Sequence, residues 1–211
     1  MDITYKTFTG NQVKEYLSQV SLFRSKYFEE FPYLYVNQSI DSAAKEEEYI
    51  ASQATDTSYC IVSAFDGSKL VGISTGLALV NGSDLSAENL NALENSNINP
   101  KDCFYSCETI ILPEYRGKGI YKKLCSIKAQ YAIDLGFTYM LFISVVREDN
   151  HPLKPDNYIS HNAKWNNMGF QKTNLFMHYD WHTKQADGSV VEQSNKLEIW
   201  YANLEDCVML A

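Results

Sequence analysis

Histidine, proline and cysteine are all scarce in this chain: four, five and five among 211 residues. An odd, dispersed set of cysteines (60, 103, 107, 125 and 207) does not read as a disulfide framework. Cys103 and Cys107, carried on one strand, would face the same side about 13 Å apart, beyond the roughly 7 Å between α-carbons that a bridge tolerates. Reduced thiols in a cytoplasmic protein are the simpler expectation. His178 and His182 have the spacing of a helical zinc pair but fall in a strand-like run, about 13 Å apart on one face, so no shared metal is expected. Long apolar runs are missing as well. The longest, Tyr139 to Val146, is far short of the roughly 20 residues of a membrane span. The opening residues Met1-Asp2-Ile3-Thr4-Tyr5-Lys6 lack the basic start and apolar stretch of a secretion signal. A soluble chain with no membrane partner is expected. Positive charge is in deficit too: 18 Lys and Arg against 26 Asp and Glu leave a net −8, which argues against nucleic acid as a partner.

What is present is an ordinary globular balance, 45% hydrophobic and 21% charged, at a length that can bury a core. No repeat, low-complexity tract or shift of composition divides it, so residues 1–211 are expected to form one domain. Alternation predicts a strand over Ile3–Phe8. Val13, Leu17, Val20, Phe23, Tyr27 and Phe31 recur at helical spacing up to Pro32, and Asp41 can cap a second helix running to about Ala54. Tyr59–Phe65 and Lys69–Val80 read as strands around an Asp66-Gly67 turn. The Asn- and Ser-rich stretch 81–101 predicts a short helix in a long connection. Phe104–Leu112 is a strand, Lys118–Leu135 a helix with its stripe at Ile120, Leu124, Ile127 and Tyr131, and Gly136 its stop. A strand over Thr138–Val145, a polar segment 146–158, a helix near Ser160–Met168 and strands near Phe170–Trp181 and Lys196–Leu204, with an Asp187-Gly188 turn, complete the pattern. Strands interleaved with helices predict an α/β (α+β) fold, one mixed twisted sheet of about six or seven strands flanked by helices.

The chemistry concentrates after Ile110-Ile111-Leu112-Pro113, where Tyr115-Arg116-Gly117-Lys118-Gly119-Ile120 turns from strand into helix. Glycines let backbone approach a ligand closely, and the first N–H groups of a helix form an anion site. Arg116, Lys118, Lys122, Lys123 and Lys128 add positive charge there on an otherwise acidic chain. A Walker loop would need glycine at 112 and Ser or Thr at 119, which hold Leu112 and Gly119; a dinucleotide fingerprint would need glycine at Lys122.

The turn instead resembles the pyrophosphate-binding motif of the GNAT acyltransferases, Gln or Arg, two residues, Gly, one residue, then Gly or Ala. Arg116 and Gly119 match, and Tyr121 stands where the last small residue is usual, either crowding the phosphate arm or pointing outward. Asn167-Met168-Gly169-Phe170 resembles the helix and Gly-Phe before the family's sixth strand. Glu108–Pro113 and Asn150–Tyr158 resemble a GNAT subgroup of undefined acceptors. The resemblance implies acetyl-CoA as co-substrate, no metal, and transfer to the amine of a small molecule or protein; it allows a homodimer. It implies that the backbone at Ile110, Ile111 and Leu112 pairs with the pantetheine arm and supplies an oxyanion donor, and that Arg116, Gly117, Lys118, Gly119, Ile120 and Tyr121 hold the phosphates. Glu108, expected to share a strand face with Ser106 and Ile110 among apolar neighbours, reads as the base that takes the amine's proton or as the carboxylate that binds a cationic acceptor. The family's usual tyrosine acid is replaced by Trp165; Tyr158 is the substitute candidate, with packing as its other reading. Cys107 has no histidine near it in sequence to make it a nucleophile. Arg147, Glu148, Asp149 and His151, with the 81–101 connection, are expected to shape the acceptor site. Alternatives on the same fold are a non-catalytic acyl-CoA-binding module and an interaction domain.

Overall fold

The computed structural model describes residues 2–36, 42–82 and 84–206; Asp41, the expected helix cap, and Cys207 lie outside them. The elements are β1 Ile3–Thr9, α1 Leu17–Tyr27, α2 Ser42–Gln53, β2 Cys60–Asp66, β3 Lys69–Ala78, α3 Ala87–Asn95, β4 Cys103–Ile111, α4 Ile120–Asp134, β5 Tyr139–Val145, α5 Asn162–Asn167, β6 Gln171–Lys184 and β7 Val190–Asn203. They form one seven-stranded mixed sheet in the order β1-β2-β3-β4-β5-β7-β6, as expected. The long helix predicted from residue 11 is tighter at its start, where Gly10–Tyr16 wind as a 3-10 segment. It ends at Tyr27, short of Phe31, with the Phe28 N–H closing the last turn onto the Arg24 carbonyl. Within 81–101, Ser86 caps α3 through a reciprocal pair with Asn89 and Leu93 is buried. Among the described residues no helix is long and apolar enough to cross a membrane.

Each sheet face carries its own core. One holds Phe104, Leu124, Ala129, Phe142 and Trp200 under α4 and α5. The other holds Val20, Ile50, Leu77, Leu93 and Tyr105 under α1, α2 and α3. The buried face of α4 is not the expected stripe. Ile120 and Leu124 are buried, but Ile127 and Tyr131 are only partly so, and the seam continues through Cys125, Lys128, Ala129 and Ala132. Small alanines let the helix sit close to the sheet, and the Lys128 stem runs between them. Its Nζ donates to the Thr75 carbonyl at 3.0 Å and to Ser106 Oγ at 2.6 Å. Lys128 therefore does not belong to the solvent-facing basic run proposed for an anion.

Two irregularities of β4 position the site. Opposite β3, Gly76 pairs with Ser106 but Ser74 pairs with Thr109, so β4 carries one extra residue there, a β-bulge. Opposite β5, the parallel pairing covers only Cys103–Tyr105 against Tyr139–Leu141. Beyond that the two strands part.

Candidate active site

The gap between β4 and β5 opens into a cavity of about 1160 Å³. At its mouth lies the glycine turn. Gly117 and Gly119 have φ of +75° and +81°, a left-handed backbone natural only to glycine. A Cβ at either would meet no heavy atom within 4 Å, so the space in front of α4's first N–H groups is open to a ligand. The same turn suits a pyrophosphate: positive backbone dipole, no side chain in the way, and cations beside it.

Of the residues read from sequence as cofactor contacts, Ile110, Ile111, Arg116, Gly117, Gly119, Ile120 and Tyr121 line this cavity; Leu112 and Lys118 do not. The Leu112 N–H donates to the Val71 carbonyl at 3.0 Å, which commits it to β3. Backbone groups alternate along a strand, so within this trio it is Ile111 that faces the gap, and its carbonyl accepts from Arg116 Nε at 3.1 Å. Lys118 Nζ folds back onto the Glu114 carbonyl at 2.7 Å. Arg116 also forks onto both carboxylate oxygens of Glu30, at 2.9 and 3.1 Å. Tyr121 neither crowds the turn nor points outward. It leans toward α5, where its hydroxyl accepts from Trp165 Nε1 at 3.0 Å, and burial holds that hydroxyl well above its ordinary pKa. Trp165 itself packs on Phe142 and Trp200, which accounts for an indole where a tyrosine is usual.

Glu108 is buried and lines the cavity, but its setting differs from the expectation. The bulge breaks the alternation of β4. Ser106 points to Lys128 on α4, whereas Cys107 and Glu108 both turn to the α1–α2 face, toward Gln53 and Arg24. Glu108 thus shares a face with Cys107 and Ile110, not with Ser106. Its neighbour there is a guanidinium: Arg24 Nη1 meets Oε2 at 2.9 Å, and Arg24 Nε is held by Glu46 of α2. Burial alone would lower the Arg24 pKa, yet Glu108, Tyr49 and Glu46 hold it well above the usual value. The other Glu108 oxygen, Oε1, is buried with no hydrogen-bond partner.

The roof of the cavity is a segment the sequence reading passed over. Residues 28–34, directly after α1, line it, and Arg147 holds them by donating from Nε to the Pro32 carbonyl at 2.8 Å and from Nη2 to the Tyr33 carbonyl at 3.0 Å. Phe31 sets its ring edge-on to Tyr158 at 4.7 Å. Four aromatics crowded around Pro32 (Phe28, Phe31, Tyr33 and Tyr35) were the available signal. Tyr158, Arg147, Glu148 and Asp149 line the cavity; His151 does not, its ring resting on Phe31 instead. No described residue of 81–101 lines it, since α3 packs beside β6 and Tyr179 ties the Asp84 carbonyl there. Cys107 is a poor nucleophile: burial, then the charges of Glu108 and Asp84, push its thiol well above the ordinary range. Among the described residues no group of His, Cys, Asp and Glu is placed to hold a metal.

The structure thus brings together, around one cavity, a sheet parted between β4 and β5, an open glycine turn at a helix N-terminus and a buried carboxylate. The chain belongs to the acetyltransferase (GNAT) family, whose family model matches residues 22–155. It is an acyl-CoA-dependent acetyltransferase. Solved structures share the fold at low identity. One from Acinetobacter baylyi ADP1, provisionally described as an acetyltransferase, has TM-score 0.61 and 12% identity, over 97% of this chain and 94% of that one. YncA of Salmonella typhimurium, likewise described and solved with its cofactor acetyl-CoA, has TM-score 0.57 and 14% identity, over 97% and 95%. The ribosomal-protein-S18-alanine N-acetyltransferase of Escherichia coli has TM-score 0.55 and 11% identity, over 96% and 94%. No curated protein matches the sequence.

Proposed function

We propose that this chain moves an acetyl group from acetyl-CoA to a primary amine by direct attack, both substrates being bound together. The observation that carries this is the single cavity lined both by the glycine turn and by Glu108, one of whose oxygens is unpartnered. Acetyl-CoA, when bound, supplies an activated acyl group as its thioester. Gly117, Gly119 and the N–H groups opening α4 hold its pyrophosphate, with Arg116 alongside, and Ile111 offers its backbone to the arm in the gap. An amine of ordinary pKa arrives protonated. Glu108 Oε1 accepts a hydrogen bond from that nitrogen and takes its proton, while Arg24 keeps the carboxylate oriented through Oε2. Tyr158, whose hydroxyl burial holds above its ordinary pKa, lines the same cavity and gives a proton to the thiolate that leaves as the C–S bond breaks. The raised pKa of Cys107 favours direct attack over an acyl-cysteine route.

Isothermal titration with acetyl-CoA tests the reading. Micromolar binding by the wild type, abolished in Gly119→Trp, is expected, because an indole at φ +81° both strains the turn and fills the phosphate space. No heat from the wild type would sink the acyltransfer reading. Tyr158→Phe keeps the contact with Phe31 and is expected to lower kcat about a hundredfold, with acetyl-CoA affinity retained. An unchanged kcat would leave Tyr158 a packing role only.

A further inference from the structure

We infer that the acceptor is a small zwitterion, an amino acid whose ammonium is taken by Glu108 and whose carboxylate is taken by Arg147. This rests on the acyl-transfer reading above and adds what the acceptor carries at its other end. A carboxylate with one unpartnered oxygen and a guanidinium without a carboxylate partner line one cavity. Glu108 is 5% exposed; Arg24 satisfies one of its oxygens and nothing satisfies the other. A buried acceptor atom without a donor is costly, so this oxygen marks where a ligand N–H belongs.

Arg147, two residues past the end of β5, is the complementary group. A guanidinium has five N–H donors, and the bonds it makes to Pro32 and Tyr33 go to neutral carbonyls. Of the other cations lining the cavity, Arg116 is paired with Glu30, Lys154 with Asp149 and Lys172 with Glu198, while Lys122, Lys164 and Lys184 are exposed to solvent. Arg147 has no carboxylate partner among the described residues, and burial alone lowers its pKa, with no anion to raise it again. A half-buried guanidinium without a counter-charge suits a ligand carboxylate, which it can meet in a planar, two-pronged fashion.

Tyr33 joins the two ends. Its carbonyl is an acceptor of Arg147, while its phenol, pushed up to about 12 chiefly by burial, lies in the fields of Arg24, Glu108 and Tyr158. Tyr33 thus lies between Arg147 and the neighbourhood of Glu108 along one wall of the cavity. The roof over residues 28–34 closes the same space from above, which favours a small molecule over the end of a protein.

The test is CoA release from acetyl-CoA with paired acceptors: free amino acids, their carboxamides, short amidated peptides and simple diamines. Each carboxamide keeps the amine and loses the negative charge, and its amine is the less basic, so chemistry alone favours the amide. The free acids are expected to exceed their amides at least tenfold in kcat/KM. Arg147→Gln is expected to lower kcat/KM for the acids by about tenfold or more and for the amides much less, collapsing the ratio. Amides or amidated peptides that match the acids in the wild type would overturn the inference and leave acetyl transfer intact. So would an Arg147→Gln loss equal for both. Should that variant fail to fold, the wild-type ratio alone decides. Wild-type protein that binds acetyl-CoA but releases no CoA with any acceptor would defeat the acyl-transfer reading itself, a different failure.

Discussion

Glu108→Gln is expected to lower kcat by about two to four powers of ten while the dissociation constant for acetyl-CoA stays within about twofold. The amide is isosteric and can still meet Arg24, but it cannot accept the amine's proton through the atom that carries Oε1 in the wild type. The glycine turn lies at the far end of the cavity and loses nothing. Steady-state kinetics with a saturating amine, paired with titration of acetyl-CoA, separates the two quantities. An unchanged kcat would remove Glu108 from the mechanism; a parallel loss of acetyl-CoA affinity would instead mean that the ion pair with Arg24 shapes the whole gap. Because Arg24 keeps its bond to Glu46, the variant leaves that guanidinium partnered.

Gly76→Ala is expected to destabilise the fold by about 3 kcal/mol, the upper range for overpacking a closely fitted site, lowering Tm by roughly 6–12 °C at this chain length. A Cβ there would stand 2.4 Å from a Phe104 ring carbon and 2.7 Å from the Tyr105 carbonyl oxygen. The ring can shift, but the backbone oxygen belongs to a central strand next to the β4 bulge. Relief must come from moving β3 away from β4, which disturbs the residues that aim Glu108. Thermal unfolding by circular dichroism measures the shift. A change below about 2 °C would show that β3 and β4 separate there without cost.

The elements were legible in the sequence because each satisfies local rules. Alternating runs became strands, and the glycine turn fell between strand and helix as its spacing implies. What was not legible arises from contacts distant along the chain. No local pattern announces the extra residue in β4, so strict alternation put Glu108 beside Ser106. Nor can spacing reveal that Arg24 bridges Glu46 of another helix and a carboxylate 84 residues further on. Lys128 looked like surface charge because its type is rarely buried; only the sheet behind it supplies the carbonyl and hydroxyl that satisfy its ammonium. Tyr121 was read from a motif that expects a small residue, and its partner Trp165 lies 44 residues on.

The segment over the cavity is fastened on both sides. It leaves α1 through the Phe28 N–H bond to Arg24. It ends as a short added strand on β6, with Tyr35 bridging Thr183 and the Val36 N–H reaching the His182 carbonyl. Between these ends Arg116 grips Glu30 from one bank and Arg147 grips two carbonyls from the other. A loop tied in this way loses little conformational entropy when a ligand settles beneath it. Folding has already met the ordering cost that a free loop would charge at each encounter, so a larger share of the contact energy appears as affinity for the acceptor.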